Sequence, residues 1–210
     1  MSSMSPLEFD ELLRIRAKEM ARKGVCALGP MYDLVATRLL RYSSTITKTR
    51  EEAEDVLQSS LLRLARKPKQ LSSAARPWSY LLRLVRNEAY DQLYRKKTVG
   101  QLEAIPQLTD PVEISLDSWE RHESVHQAIQ QLPVAQAEVV TLKIWEGMSF
   151  REIAELTDEP LHTIASRYRY AMGKLAASLK AHNEETETGS KTVKSSGYRV
   201  CARTENDLKK

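Results

Sequence analysis

The chain is short of the residue types that carry catalysis or covalent bracing. Its two cysteines, Cys26 and Cys201, stand apart from each other and from any histidine cluster. That leaves neither a disulfide framework nor the spacing of a zinc site, and two reduced thiols are expected. The four histidines, His122, His126, His162 and His182, are scattered and read as surface residues. No glycine-rich phosphate loop and no nucleophile–base pair stands at a recognisable spacing, so neither an enzyme nor a bound cofactor or metal is expected. Seven glycines and an aromatic fraction of 6% are too few for a sandwich or barrel built on many tight turns. Apolar runs fall well short of the ~20 residues that cross a bilayer. The opening MSSMSPLEFDELL carries acidic residues and lacks a cationic, apolar leader. A soluble, cytoplasmic protein is expected.

What is present points to helix. Long stretches rich in Leu, Ala, Arg, Glu and Lys favour it, and 41% hydrophobic with 29% charged residues is ordinary for a globular chain of 210 residues. The net charge of +4 permits a polyanionic partner without demanding one.

Ser5 and Glu8 form a capping-box pair with Pro6 at the first helical position, predicting a helix to about Lys23, ended by Gly24. Gly29-Pro30 starts a second helix, from 31 to about 42, before a polar SSTITKT loop. Thr49 with Glu52 opens a third helix to about Lys67, KPKQLSSAA breaks it, and Pro77 opens a long helix to about 97. Over 98–118 no helical or strand period persists, which marks a flexible linker. Helical patterning resumes over 116–132 and 133–145. Ser149 and Glu152 cap a short helix ending near 156, and a last helix runs from Leu161 to about 180. The polar tail beyond it is expected to be disordered. The expectation is an all-α chain: an N-terminal extension (1–29), two small helical domains (30–97 and 119–180), the linker between them, and a tail (181–210).

Residues 147–179 have the spacing of a helix-turn-helix, with Phe150, Ile153, Ala154 and Leu156 inward on the shorter helix. On the longer one, Leu161, Ile164, Ala165, Tyr168, Met172, Leu175 and Leu179 form a core stripe. Thr163, Ser166, Arg167, Tyr170 and Lys174 share the other side, Arg169 adds a further cation, and no acidic residue lies between Leu161 and Lys180. A face selected only for solubility usually mixes signs. Hydroxyls and cations on a helix suit phosphates and base edges in a major groove. In the first domain, Ala53, Val56, Leu57, Leu61 and Leu64 point inward from the third helix, leaving Asp55, Gln58, Leu62 and Arg66 outward. The helix from Pro77 turns Trp78, Leu82, Val85, Ala89 and Leu93 to the core. It turns Arg76, Tyr80, Arg83, Asn87, Tyr90 and Tyr94 away from it, a mixture of cations, rings and an amide suited to a single strand. Against that, the tyrosines could simply pack on neighbouring helices.

AEDVLQSSLLRLAR, ARPWSYLLRLVRNEAYDQL and LPVAQAEVVTLKIWEGMSFREIA…PLHTIASRYRYAMGKL strongly resemble the extracytoplasmic-function sigma factors of bacteria, over roughly 30–179 and in the family's order. The resemblance implies a transcription-initiation factor with core RNA polymerase and promoter DNA as partners, and an anti-sigma factor as a further one. It implies that Asp55, Gln58, Leu62 and Arg63 dock the polymerase clamp. Lys69 in the KPKQLSSAA segment, with Tyr80, Arg83, Asn87, Tyr90 and Arg95, would open and hold the downstream promoter element. Thr163, Ser166, Arg167, Arg169, Tyr170 and Lys174 would read the upstream element as duplex, and the linker would thread toward the RNA-exit path. The chain departs from the family's pattern in places: Ser59 replaces a glutamate, Tyr94 an arginine, Ala137 an arginine, and the turn Thr157–Pro160 lacks leucine-glycine. Asp158 can tolerate a left-handed turn conformation there, less readily than glycine. The competing reading is a DNA-binding regulator, or a degenerate relative, that no longer engages polymerase.

Overall fold

The computed structural model describes residues 5–98 and 123–193, and all regular structure among the described residues is helical. Helix α1 (Pro6–Lys23) starts on the reciprocal capping box: Ser5 Oγ accepts from the Glu8 amide, and the Glu8 carboxylate accepts from the Ser5 amide at 2.7 Å. Gly24, at φ +62°, ends it, and a 3-10 turn (Gly24–Ala27) leads into α2 (Leu28–Thr47). Two expectations about α2 fail. It starts before Pro30, because a proline within the first turn gives up an amide that has no helical partner anyway. It also runs straight through the segment expected to be a polar loop. Ser43, Ser44, Thr45 and Thr47 are buried there and return their hydroxyls to the carbonyls of Leu40, Arg41 and Ser43 at 2.9–3.1 Å. Lys48, at φ 71°, closes the helix.

Helix α3 (Arg50–Arg66) is capped by Thr49, whose hydroxyl accepts from the Glu52 amide, while the Glu52 carboxylate takes Lys96. The KPKQLSSAA break contains one further short helix, α4 (Pro68–Ser72), pinned by the buried Leu71. Helix α5 (Pro77–Thr98) completes the first bundle. Phe9, Leu13 and Met20 of α1 enter the same core as Met31, Val35 and Leu39 of α2, Val56 and Leu64 of α3, and Leu82 and Val85 of α5. The region expected to be a linker lies mostly outside the described residues.

Beyond it come α6 (Glu123–Gln130), α7 (Val134–Ile144), α8 (Phe150–Thr157) and α9 (Leu161–Val193). Ser149 and Glu152 form the expected reciprocal cap. Helix α9 continues to Val193, past the expected end near 180, so the first part of the expected disordered tail is helical. The core stripe of α9 is Ile164, Tyr168, Ala171, Leu175 and Leu179; Leu161 and Met172, expected inside, are 50% and 38% exposed. The stripe is centred one position from the expected one, and the small Ala171 takes the place against α7.

The two helical units pack on each other. Ala137–Leu142 of α7 are all buried: Ala137 and Val140 join the core with α6 and α9, while Val139 and Leu142 join the core of the first unit. A helix buried on every side needs cover on two faces, and α2 supplies the second.

Candidate nucleic-acid interface

On α3 the inward stripe is as expected, and the opposite face turns Asp55, Gln58, Ser59, Leu62 and Arg63 together to solvent. Leu62 is 59% exposed, and Arg63 holds only a loose ion pair with Glu88 at 3.8 Å. This is a patch with an apolar centre and a polar rim.

The second surface runs along α4 and α5. Lys69, Arg83, Asn87 and Arg95 are exposed, and Tyr80 donates its hydroxyl to Gln70 Oε1 at 3.0 Å. Arg83, however, donates through Nη2 to the Glu155 carbonyl on α8 at 2.5 Å, and Arg76 lies 3.4 Å from the Glu155 carboxylate. Tyr90 is drawn under the second unit, where its hydroxyl donates to Glu138 Oε2 at 2.9 Å. Trp78, placed in the core as expected, also donates its indole N–H to Glu146 at 3.1 Å.

The third surface is the helix-turn-helix. Asp158, φ 57° and ψ 44°, is the left-handed C-cap of α8, so the turn that lacks glycine uses the conformation glycine would have supplied. On α9, Arg169, Tyr170 and Lys174 are exposed, and Thr163, Ser166 and Arg167 half-buried. Arg169 lies over the ring of Tyr170, 5.4 Å from its centroid. Arg167 is less available than the lack of acids between Leu161 and Lys180 suggests, since Glu159, in the turn, reaches back to it at 2.7 Å.

Six charged side chains outside the expected set join the units. Glu138, 1% exposed, accepts from Tyr42 at 2.7 Å, Arg86 at 2.8 Å and Tyr90. Glu146, its side chain fully buried, accepts from Arg38 at 2.6 Å, Arg41 at 2.7 Å and Trp78. Burial and the neighbouring Glu138 carboxylate push the Tyr42 and Tyr90 hydroxyls well above the usual tyrosine range. Burial works against the Arg86 cation, but Glu138 together with the Tyr42 and Tyr90 hydroxyls outweighs it and holds the charge more firmly. Lys48 reaches across to the carbonyls of Gln130 and Leu132 at 3.0 and 3.2 Å, and burial lowers its pKa to about 8. In the sequence each of these reads as a surface charge; the available signal was α7, apolar most of the way round.

Residues 31–99 match the model for sigma-70 region 2 and residues 122–175 the model for sigma-70 region 4. The ECF RNA polymerase sigma factor SigL of Mycobacterium tuberculosis is 28% identical over 173 residues, 79% of this chain and 96% of SigL. The chain belongs to the extracytoplasmic-function sigma factors. Another relative, SigK of a Mycobacterium species, is 24% identical over 77% of this chain and 86% of its own length. Among solved structures the fold of this sigma factor is similar to RpoE of Bartonella quintana, determined with the anti-sigma factor NepR. That match has a TM-score of 0.58 and 24% identity, covering 72% of this chain and 96% of RpoE. CnrH, determined with the cytosolic domain of CnrY, is similar with a TM-score of 0.56 and 20% identity, covering 81% and 98%. As a sigma factor the protein directs promoter recognition by RNA polymerase. Among the described residues no helix is long and apolar enough to cross a membrane.

Proposed function

We propose that the three surfaces divide the work of initiation. The α3 face of Asp55, Gln58, Leu62 and Arg63 docks core polymerase. Lys69, Tyr80, Arg83, Asn87, Tyr90 and Arg95 hold the opened downstream strand. Thr163, Ser166, Arg167, Arg169, Tyr170 and Lys174 on α9 read the upstream duplex. The sigma factor acts in the cytoplasm, has no catalytic step of its own, and is restrained by an anti-sigma factor, as the solved neighbour RpoE was captured with the anti-sigma factor NepR. The linker threads toward the RNA-exit path.

The observation that carries this division is the composition of the exposed α5 surface. Arg83 and Asn87 lie about one turn apart on the side away from the buried Val85 and Ala89. A guanidinium for phosphate beside an amide for a base edge is the pairing a single strand needs. Replacing both by alanine is expected to spare polymerase binding and suppress strand opening, read as lost permanganate reactivity of promoter thymines. Normal reactivity in the double variant would return Asn87 to a packing role.

A further inference from the structure

Six donors of the first unit converge on two carboxylates of the second. Arg86, Tyr42 and Tyr90 meet on Glu138; Arg38, Arg41 and Trp78 meet on Glu146. All six sit on α2 and α5, so they form one strip of cations and rings on a single side of the first bundle. The strip continues the surface proposed to hold the downstream strand, since Arg83, Arg86 and Tyr90 follow one another along successive turns of α5. Arg38 lies 3.9 Å from the Phe9 ring centroid and 4.4 Å from that of Trp78, so the first unit alone holds its guanidinium in place. The carboxylates do not use the strip fully. Arg41 Nε is buried with no hydrogen-bond partner, a donor left over for a further acceptor such as a phosphate oxygen.

We propose that Arg38, Arg41 and Arg86 form a phosphate-binding site for single-stranded promoter DNA, and that Glu138 and Glu146 occupy it in cis while the two units are packed together. The packed form is then a closed state in which the second unit covers the strand site. Opening exchanges two carboxylates for the backbone phosphates of the displaced strand. This rests on the reading of α5 as the strand-holding surface and extends it to α2. The chemistry is complementary on both sides of the exchange. Buried carboxylate–guanidinium pairs are strong only while both members stay paired, so the strip favours whichever anion occupies it and is costly to leave vacant.

The experiment uses the full chain and a short fluorescent single-stranded DNA of mixed sequence, with binding followed by anisotropy. Glu138→Gln with Glu146→Gln and Arg38→Gln with Arg41→Gln each break the same contact from opposite sides, so their signs discriminate. The glutamate pair is expected to bind the oligonucleotide more tightly than the parent. The arginine pair is expected to bind about tenfold more weakly, the loss of one or two charge-assisted hydrogen bonds, with a shallower salt dependence. If both variants bind more tightly, the strip is a latch and no DNA site, and the proposal is wrong. If neither differs from the parent, it is wrong as well.

Closure is tested separately with Thr45→Cys and Thr141→Cys in a Cys26→Ser, Cys201→Ser chain, since the two threonine hydroxyl oxygens lie 3.2 Å apart across the contact. Oxidation should form the bond and weaken oligonucleotide binding, since Lys69, Asn87 and Arg95 stay exposed in the packed form while the strip is covered, and reductant should restore it, which also serves as the folding control. A pair that does not oxidise, or an oxidised chain that binds as well as the reduced one, overturns the closed state. Adding Arg83→Ala and Asn87→Ala to the glutamate variant isolates the underlying reading. If that addition has no effect while the arginine pair still loses binding, Arg83 and Asn87 do not hold the strand and the phosphate site of Arg38, Arg41 and Arg86 stands without them.

Discussion

Asp158 shows how one residue carries a turn that its sequence does not favour. At φ 57° and ψ 44° it holds the left-handed conformation between α8 and α9, which costs an ordinary L-residue roughly 1–2 kcal/mol and aspartate somewhat less. Its side chain is exposed, so backbone preference dominates the effect of a substitution there. Asp158→Gly is expected to leave stability within about 1 kcal/mol of the parent, on the stabilising side. Relief of the left-handed strain there offsets the added freedom of the unfolded chain. Asp158→Val, with a branched Cβ at positive φ, should cost more than about 1 kcal/mol. Urea midpoints of the two variants measure both; a stabilising valine would show that the turn opens to accommodate it. That Asp158 can tolerate this conformation was legible beforehand, because it depends on a four-residue segment and its neighbours alone. The pairing of Arg167 with Glu159 was not, because it needs the same turn folded back onto α9.

At the scale of helices, what could be read in advance was what each helix decides for itself. Ser5 with Glu8 and Ser149 with Glu152 cap where expected, since a capping box closes within four residues. The stripe of α3 likewise needs only the helical period, and it leaves Leu62 outside with 59% exposure. Leu62→Asp is therefore expected to keep the helical signal and thermal midpoint near those of the parent while weakening capture of core polymerase by about tenfold or more, because a charge entering a desolvated contact lacks a partner. Unchanged capture would move the docking surface off α3. The segment from Ser43 to Thr47 was misread for a physical reason. Hydroxyls look like loop formers, yet each can be satisfied by a carbonyl three or four residues back on the same helix, and burial between α3 and α7 then keeps them there. Glu138 was illegible altogether. A buried carboxylate needs partners, and its partners Tyr42, Arg86 and Tyr90 come from α2 and α5, 48 to 96 positions away in the sequence.

For the molecule as a whole, the packing of the two units makes stability depend on pH in a way that neither unit would show alone. Lys48 spans the contact to the Gln130 and Leu132 carbonyls, and burial lowers its pKa to about 8 from an ordinary 10.5. Below pH 8 it is protonated in packed and separated forms alike, and burying the cation opposes packing to a constant degree. Between pH 8 and about 10 the packed form gives up the proton first. The separated form then binds more protons, and packing strengthens as pH rises. Tyr42 and Tyr90 act in the opposite sense at higher pH. Burial and the Glu138 carboxylate keep both hydroxyls protonated in the packed form, whereas the released side chains ionise near their ordinary 10.0. Beyond that point the separated form holds fewer protons, and packing weakens. The urea midpoint of the full chain should therefore climb from pH 8, pass through a maximum near pH 10 and then fall. Lys48→Met should flatten the climbing limb and leave the fall intact. Tyr90→Phe, which removes one hydroxyl from Glu138, should make the fall shallower. A climb that survives Lys48→Met would place the titrating group elsewhere, and a midpoint insensitive to pH across this range would mean that the two units do not stay packed in solution.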